Sequence, residues 1–311
     1  MAIMQPRVFS IRLHRTVQRE GQIWLICLPI IAWAVVFCYL PIYGIATAFI
    51  QYVPGKPIMR SPWVGLQYFA EFFKNPEFGM IMRNTLAIGG LNILFGFPAP
   101  IILALLINEL SQGPFKKVVQ TVSYVPYFVS WVVMASLIFA LLGSEGLLNK
   151  LLLSLHLTER SILFLGEGKY FWGIIVIANI WKGIGWSSII YLSAIAGIDQ
   201  ELYQAGAVDG LGRAGMAWHI ILPGIRATIL LLFILQMGDI LNAGFEQQLL
   251  LGTPQTRSFY EVIETYAYRY GIQMGRYAFG TAVEFMKSII GLGLVFSLNS
   301  LFRRTVKISV V

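Results

Sequence analysis

Asn179, Trp181, Lys182 and Trp186 fall within a short part of one apolar stretch. Amide groups bind hydroxyls, indole faces stack on sugar rings, and an ammonium suits a sugar carboxylate. A lysine at the centre of a spanning helix costs about 2.5–3.5 kcal/mol on insertion scales, so Lys182 demands a partner. The plainer account is a packed aromatic helix whose lysine reaches a carbonyl or a water cavity. Asp239, Asn242 and Glu246 follow near the end of another apolar stretch, where they either line an entrance or solvate a helix end. Glu284 and Lys287 stand three apart and pair on one helix face. No bond-making centre can be assembled. The chain holds no G-x-x-x-x-G-K-[ST] phosphate loop, and Gly168-Lys169 lacks its surroundings. His14, His156 and His219 are dispersed, and Cys27 and Cys38 would lie roughly 16 Å apart on a helix, so neither a metal site nor a disulfide is supported.

The elements that must position these groups are membrane spans. Of 311 residues, 57% are hydrophobic and 12% charged, against about 25% charged in a soluble domain. A spanning helix needs about 20 predominantly apolar residues. Six stretches meet that length, approximately Ile23–Ile50, Thr85–Ile107, Val118–Leu142, Phe171–Ala196, Ala227–Phe245 and Tyr277–Phe302. The expected fold is all-α and polytopic, with six transmembrane helices. The first run is too long for a signal-peptide core and should remain as an anchor. Lys116, Lys117, Arg303, Arg304, Lys307 and the N-terminal Arg7, Arg12, Arg15 and Arg19 share one side if the count is even, which predicts both termini in the cytoplasm. The net charge of +8 is scattered over loops and termini and fits a membrane surface rather than nucleic acid. The outer loops, about 51–84, 143–170 and 244–276, carry balanced charge and short helical patterns such as Glu261–Arg269, enough for a small external cap.

One connection is long and lies on the cytoplasmic side: residues 197–223. Asp199 is suited to cap a helix and Glu201 to its first turn. Gly210 and Gly212 permit a sharp turn, after which a second short helix should run from about Arg213 until Pro223 interrupts it. Ala205-Gly206-Ala207 would form a crown small enough for another protein's backbone to approach. Trp218 could pack at the root, and Asp209 could cap the second helix or contact a partner. Lone His219 reads as structural.

This segment resembles the cytoplasmic EAA loop of permease subunits of type I ABC importers, the group typified by the maltose transporter. Gln204, Ala205, Gly206, Gly210, Ile220, Leu222 and Pro223 fall on the family spacing; Gln204 stands where the family has Glu, and Gly206 where it usually has Ala. Residues 201–203, 209–210, 219–224, 241–247, 264–269 and 285–288 are similar to the oligosaccharide and polysaccharide-fragment permeases of the carbohydrate group.

The resemblance implies a bacterial inner-membrane permease: a cytoplasmic segment 1–22, a six-span domain 23–302 containing the loop 197–223, and a tail 303–311. It implies a carbohydrate substrate, an acidic one if Lys182 meets it. It implies a second homologous permease, two ATPases that bind ATP and Mg, and an extracytoplasmic solute-binding protein. Gln204, Ala205, Gly206, Asp209, Gly210, Leu222 and Pro223 would couple to the ATPases; no cofactor is expected in this chain, which would not be an enzyme. Two other classes stay open: an ion-coupled secondary carrier using Asp239 and Glu284, and a membrane enzyme acting on lipid-linked glycans.

Overall fold

The computed structural model describes residues 21–305. Arg7, Arg12, Arg15, Arg19 and Lys307, on which the orientation rests in part, lie outside them, as do most of 1–22 and 303–311. Among the described residues every regular element is helical, with a lone antiparallel bridge between Ile50 and Trp63. The chain divides into two units, Met1–Gln67 and Tyr68–Val311.

In the first unit, α1 (Gly21–Ala34) passes into a π turn at Val35–Tyr39 and a 3-10 stretch at Leu40–Phe49, beside Pro29 and Pro41. Prolines deprive the backbone of donors, and the ladder shifts register around them. Most apolar side chains from Ile23 to Tyr43 are exposed, whereas Ala48 is buried, and Phe49 stacks on Trp63 at 5.6 Å.

The second unit carries α2 (Gln67–Lys74), α3 (Phe78–Leu91), α4 (Pro98–Asn108), α5 (Pro114–Tyr124), α6 (Trp131–Leu142), α7 (Leu147–Ser154) and α8 (Gly168–Ala196). It continues through α9 (Gln200–Val208), α10 (Arg213–Met216), α11 (Arg226–Gly238), α12 (Phe245–Leu251), α13 (Ile263–Tyr268) and α14 (Tyr277–Thr305). Five helical segments are long and apolar enough to cross a membrane, and a sixth crossing exists if the bent pair Arg213–Gly224 and Arg226–Gly238 counts as one. Small residues let backbones meet, as they must between helices that lipid does not push together. A Cβ on Gly185 would strike the Ser123 carbonyl, one on Gly89 the Ile240 carbonyl, and Gly271 abuts Gly280.

Two expected spans are corrected. The stretch Val118–Leu142 is not one helix, because Pro126 sits in a 3-10 turn at Val125–Phe128 and the chain restarts at Ser130, whose hydroxyl accepts from the Val133 N–H at 3.4 Å. The apolar crossing lies instead over Trp131–Ser154. The fifth helix ends at Gly238 rather than Phe245, so it is only about 20 Å long. Its remaining reach comes from Arg213–Gly224, joined at a 66° bend. Pro223 does not interrupt that segment: a π turn at Ala217–Ile221, with the Leu222 N–H bonded to the Ala217 carbonyl, precedes it, and the break falls at Ile225. One surplus residue per π turn is what accommodates a missing donor.

Four charges in the connections 51–84 and 244–276 pair with one another. Arg257 and Arg269 both bridge Glu77 and Glu261, and the Glu261 side chain is 2% exposed. A buried carboxylate held by two guanidinium groups ties the 245–276 connection to the start of α3, and removing one partner would leave an uncompensated charge.

Candidate functional sites: a central cavity and an elbow between spans

A polar cavity of about 250 Å³ lies among the second, fourth and fifth spans. Each amide arrives by a local irregularity. Asn92 opens a π turn, Asn92–Gly96, just before Pro98 and Pro100. Asn242 and Gln247 are delivered by the turn after α11 and the start of α12. Asn179 and Ser187 come from α8, which runs unbroken for 29 residues. The Asn179 amide donates to Asn92 Oδ1 and Gln247 donates to Asn179 Oδ1, both at 3.4 Å. Gln236 also lines this space, and an adjoining hollow of about 180 Å³ shares Gly96, Pro100, Ser187 and Gln236 and reaches Asp239.

The structure sorts the residues singled out in the sequence. Asn179 and Asn242 line the cavity and Asp239 the adjoining hollow. Glu246 is exposed and lines neither. Trp181, Lys182 and Trp186 point elsewhere. The Lys182 ammonium donates to the carbonyls of Tyr127 at 2.6 Å and Val129 at 2.7 Å, inside the break before α6. Trp186 stacks on Tyr127 at 4.6 Å, and Lys182 lies over the Tyr127 and Trp131 rings. The lysine is thus the donor for carbonyls left bare where the chain turns extended at Val129 and Ser130, which is the plainer of its two readings. Trp181 lines an apolar groove of about 740 Å³ beside α6. Sequence reasoning missed Asn92, Ser187, Gln236 and Gln247; an amide directly before Gly96-Phe-Pro98-Ala-Pro100 was the available signal for the first.

The elbow is a helix, a glycine turn and a second helix. Asp199 Oδ1 accepts from the Glu201 N–H at 3.0 Å, and Gly210 sits at φ +76°, where side chains are strained. Gly206 is not part of an outward crown: it is buried, and a Cβ there would meet Ile220 Cδ1 at 2.5 Å and Met216 Sδ at 3.0 Å. It lets the two helices of the elbow close on each other. Gln204, Ala205, Ala207, Asp209 and Gly210 face outward, with Val208 88% exposed. Leu222 is half-buried and Pro223 exposed. Trp218 is 70% exposed and does not stiffen the root. That role falls to Ile101, Ala104, Tyr191, Ile195, Ile198, Ile221 and Ile225, which form one buried cluster. His219 Nδ1 bonds the Gly215 carbonyl at 3.1 Å. Burial pushes the Tyr203 phenol up, and nearby Glu109 adds to the shift.

A cavity among spans, with an elbow joining two of its walls, is the layout of a solute-conducting subunit. Residues 96–307 match the family described as the binding-protein-dependent transport system inner membrane component. This chain belongs to that family. Among the permease's relatives, LplB of Bacillus subtilis (strain 168) is 42% identical over 288 residues, covering 92% of this chain and 90% of that protein. The polygalacturonan/rhamnogalacturonan transport system permease YteP of the same organism is 41% identical, covering 92% and 89%. A crystal structure of a bacterial ABC transporter that imports the acidic polysaccharide alginate contains a chain 38% identical with TM-score 0.85, covering 94% of this permease and 99% of that chain. The alginate transporter in complex with its pentasaccharide-bound periplasmic protein gives 38% and 0.86, covering 96% and 100%. The all-α permease fold of ABC importers is therefore the fold of this chain, and the ion-coupled carrier and glycan-enzyme readings are set aside.

Proposed function

We propose that this permease forms half of the pathway by which an oligosaccharide or polysaccharide fragment, handed over by an extracytoplasmic binding protein, crosses the inner membrane. The observation that carries the reading is structural continuity: the fourth and fifth spans, which line the amide-rich cavity, are the two that the elbow joins. Amides both donate and accept, which suits the hydroxyls of a sugar. A carboxylate-bearing sugar would meet amide N–H groups here, not Lys182, whose ammonium is committed to backbone carbonyls.

Two cytoplasmic ATPases, loaded with ATP and Mg, would grip the outward face of α9 around Ala205, Ala207 and Val208, and this chain would hydrolyse nothing itself. A second, homologous permease would close the other side of the pathway. Both termini would lie in the cytoplasm with the elbow. Closure of the ATPase pair would push on the elbow, and the isoleucine-rich cluster at its root would carry that push into both spans without yielding.

The test is the assembled transporter in vesicles. Uptake of a labelled oligosaccharide should require ATP and the binding protein, and a cysteine at Ala205 should crosslink to an ATPase subunit. Uptake driven by an ion gradient alone, or an Ala205 position reachable only from outside, overturns the proposal.

A further inference from the structure

A groove of about 480 Å³ runs between α13 and the first turns of α14, with Phe245, Glu264, Tyr268, Tyr277, Thr281 and Glu284 on its walls. Glu264 is 7% exposed, and while one carboxylate oxygen accepts from Lys287 at 3.2 Å, the other has no hydrogen-bond partner among the described residues. Lys287 also pairs with Glu284 at 2.8 Å. Two carboxylates therefore share one ammonium, and the groove carries an excess of negative charge. The Glu284 side chain is 40% exposed in a membrane-spanning helix. An ionised group at that depth is not left against hydrocarbon, so the groove opens onto water or protein. Phe245 packs edge-on to Tyr268 at 5.0 Å and begins the same short helix whose Gln247 lines the central cavity. Cavity and groove thus flank one helical turn. The groove is held in shape by the Gly271–Gly280 contact, where a Cβ on either residue would lie within 3 Å of the other's Cα.

We propose that this groove is a second saccharide subsite, which takes an uncharged sugar residue through its hydroxyl donors and disfavours a sugar carboxylate. It rests on the reading of the chain as an oligosaccharide permease. An unpartnered, buried acceptor calls for a donor, because leaving it unmade costs the full desolvation of the group. Sugar hydroxyls are such donors, and the aromatic walls suit the apolar faces of a pyranose. Burial pushes the Glu264 carboxyl up, with Lys287 opposing, which is the state of a carboxylate short of donors. An anionic sugar would add a further negative charge beside Glu264 and Glu284.

The experiment uses the assembled transporter with Cys27 and Cys38 replaced by serine and a single reporter cysteine, Thr281→Cys in the groove or Ser187→Cys in the central cavity. The probes are tetragalacturonate as the free acid and as its methyl ester, which differ in charge at nearly constant shape. The ester should slow thiosulfonate labelling of Thr281→Cys about fivefold more than the acid does, the effect of one unit charge across roughly 4 Å in a water-like medium. Glu284→Gln should erase that difference. Protection at Ser187→Cys with none at Thr281→Cys overturns the groove and leaves the pathway reading standing. Equal protection by both probes, or a difference that survives Glu284→Gln, overturns the charge selection. Protection at neither cysteine overturns the groove together with the pathway reading.

Discussion

Replacing Lys182 with methionine separates a lysine that serves the fold from one that serves the substrate. The ammonium donates to the Tyr127 and Val129 carbonyls, and both would be stranded in the variant. An unpaired buried acceptor costs about 1–3 kcal/mol, so two cost about 2–6. The break is partly open, which favours the lower half of that range, and loss of the cation from over Tyr127 and Trp131 adds about 0.5–1 kcal/mol. A net loss of about 3 kcal/mol corresponds to a melting temperature lowered by roughly 6–12 °C on the scale of domains of 150–250 residues. Methionine inserts more readily than lysine, so poor insertion cannot be the cause. Lys182→Arg, which keeps a fork of donors, should recover about half the loss. The assay is thermal unfolding of the purified complex in detergent, paired with initial uptake rates for a neutral and a carboxylate-bearing oligosaccharide. An unchanged melting temperature together with a raised KM for the charged sugar alone would refute the reasoning and return Lys182 to the substrate path.

Gly206→Ala should be nearly neutral, because the atoms its Cβ meets are the movable ends of Ile220 and Met216, whereas Gly206→Trp should part the elbow helices and reduce ATP-driven uptake at least tenfold with normal membrane levels; uptake assays beside immunoblots check both. Asn242→Ala removes one amide from the cavity and should raise KM by about fivefold, the worth of roughly 1 kcal/mol, with the melting temperature unchanged. Glu264 gives a pH signature. Its folded-state pKa is raised above the ordinary 4.5, so its contribution is fully present below that value and lost as pH rises through the folded one. The stability of the native protein relative to Glu264→Gln should therefore decline from pH 4 upward, as measured by paired melting curves. A difference that is flat with pH would count against a buried, poorly solvated carboxylate.

The signals that proved readable were those with a local cause. Long apolar runs announce spans because no water-soluble packing absorbs them. Asp199 and Gly210 announce the elbow because an N-cap and a left-handed turn each depend on one residue. What stayed hidden depends on neighbours distant in sequence. Pro126 lies inside an apolar run, so composition carries the span across it, although the backbone cannot. The lysine that repairs that break is 55 residues away from Tyr127, which no periodicity links to it. Gly206 looked like an outward docking surface, yet its missing side chain is used inward, by Ile220 and Met216. Trp218 looked like a packed root and is exposed on the chain's surface, while the root is built of isoleucines unremarked in the sequence.

The distribution of irregular backbone is itself a mechanical statement. The fourth span and α14 are continuous 29-residue helices, about 44 Å each. The second span carries a π turn at Asn92–Gly96, the third begins at the break after Pro126, and the fifth bends at Ile225. The first borders the cavity and the last the elbow, while the second is the break that Lys182 fills. Under the proposed coupling, a push at α9 would enter α8 through Ile195 and Ile198, which are buried with Ile221 and Ile225, and the fourth span would move nearly as a rod. The spans opposite it can yield only where their ladders are already broken. Displacement of Asn179 relative to Asn92 and Gln247, whose amide contacts are long at 3.4 Å, is then the cheapest way for the cavity to change shape. Weak contacts in the cavity and close packing at the root would suit the proposed lever: stiff where force would enter, loose where a solute would be released.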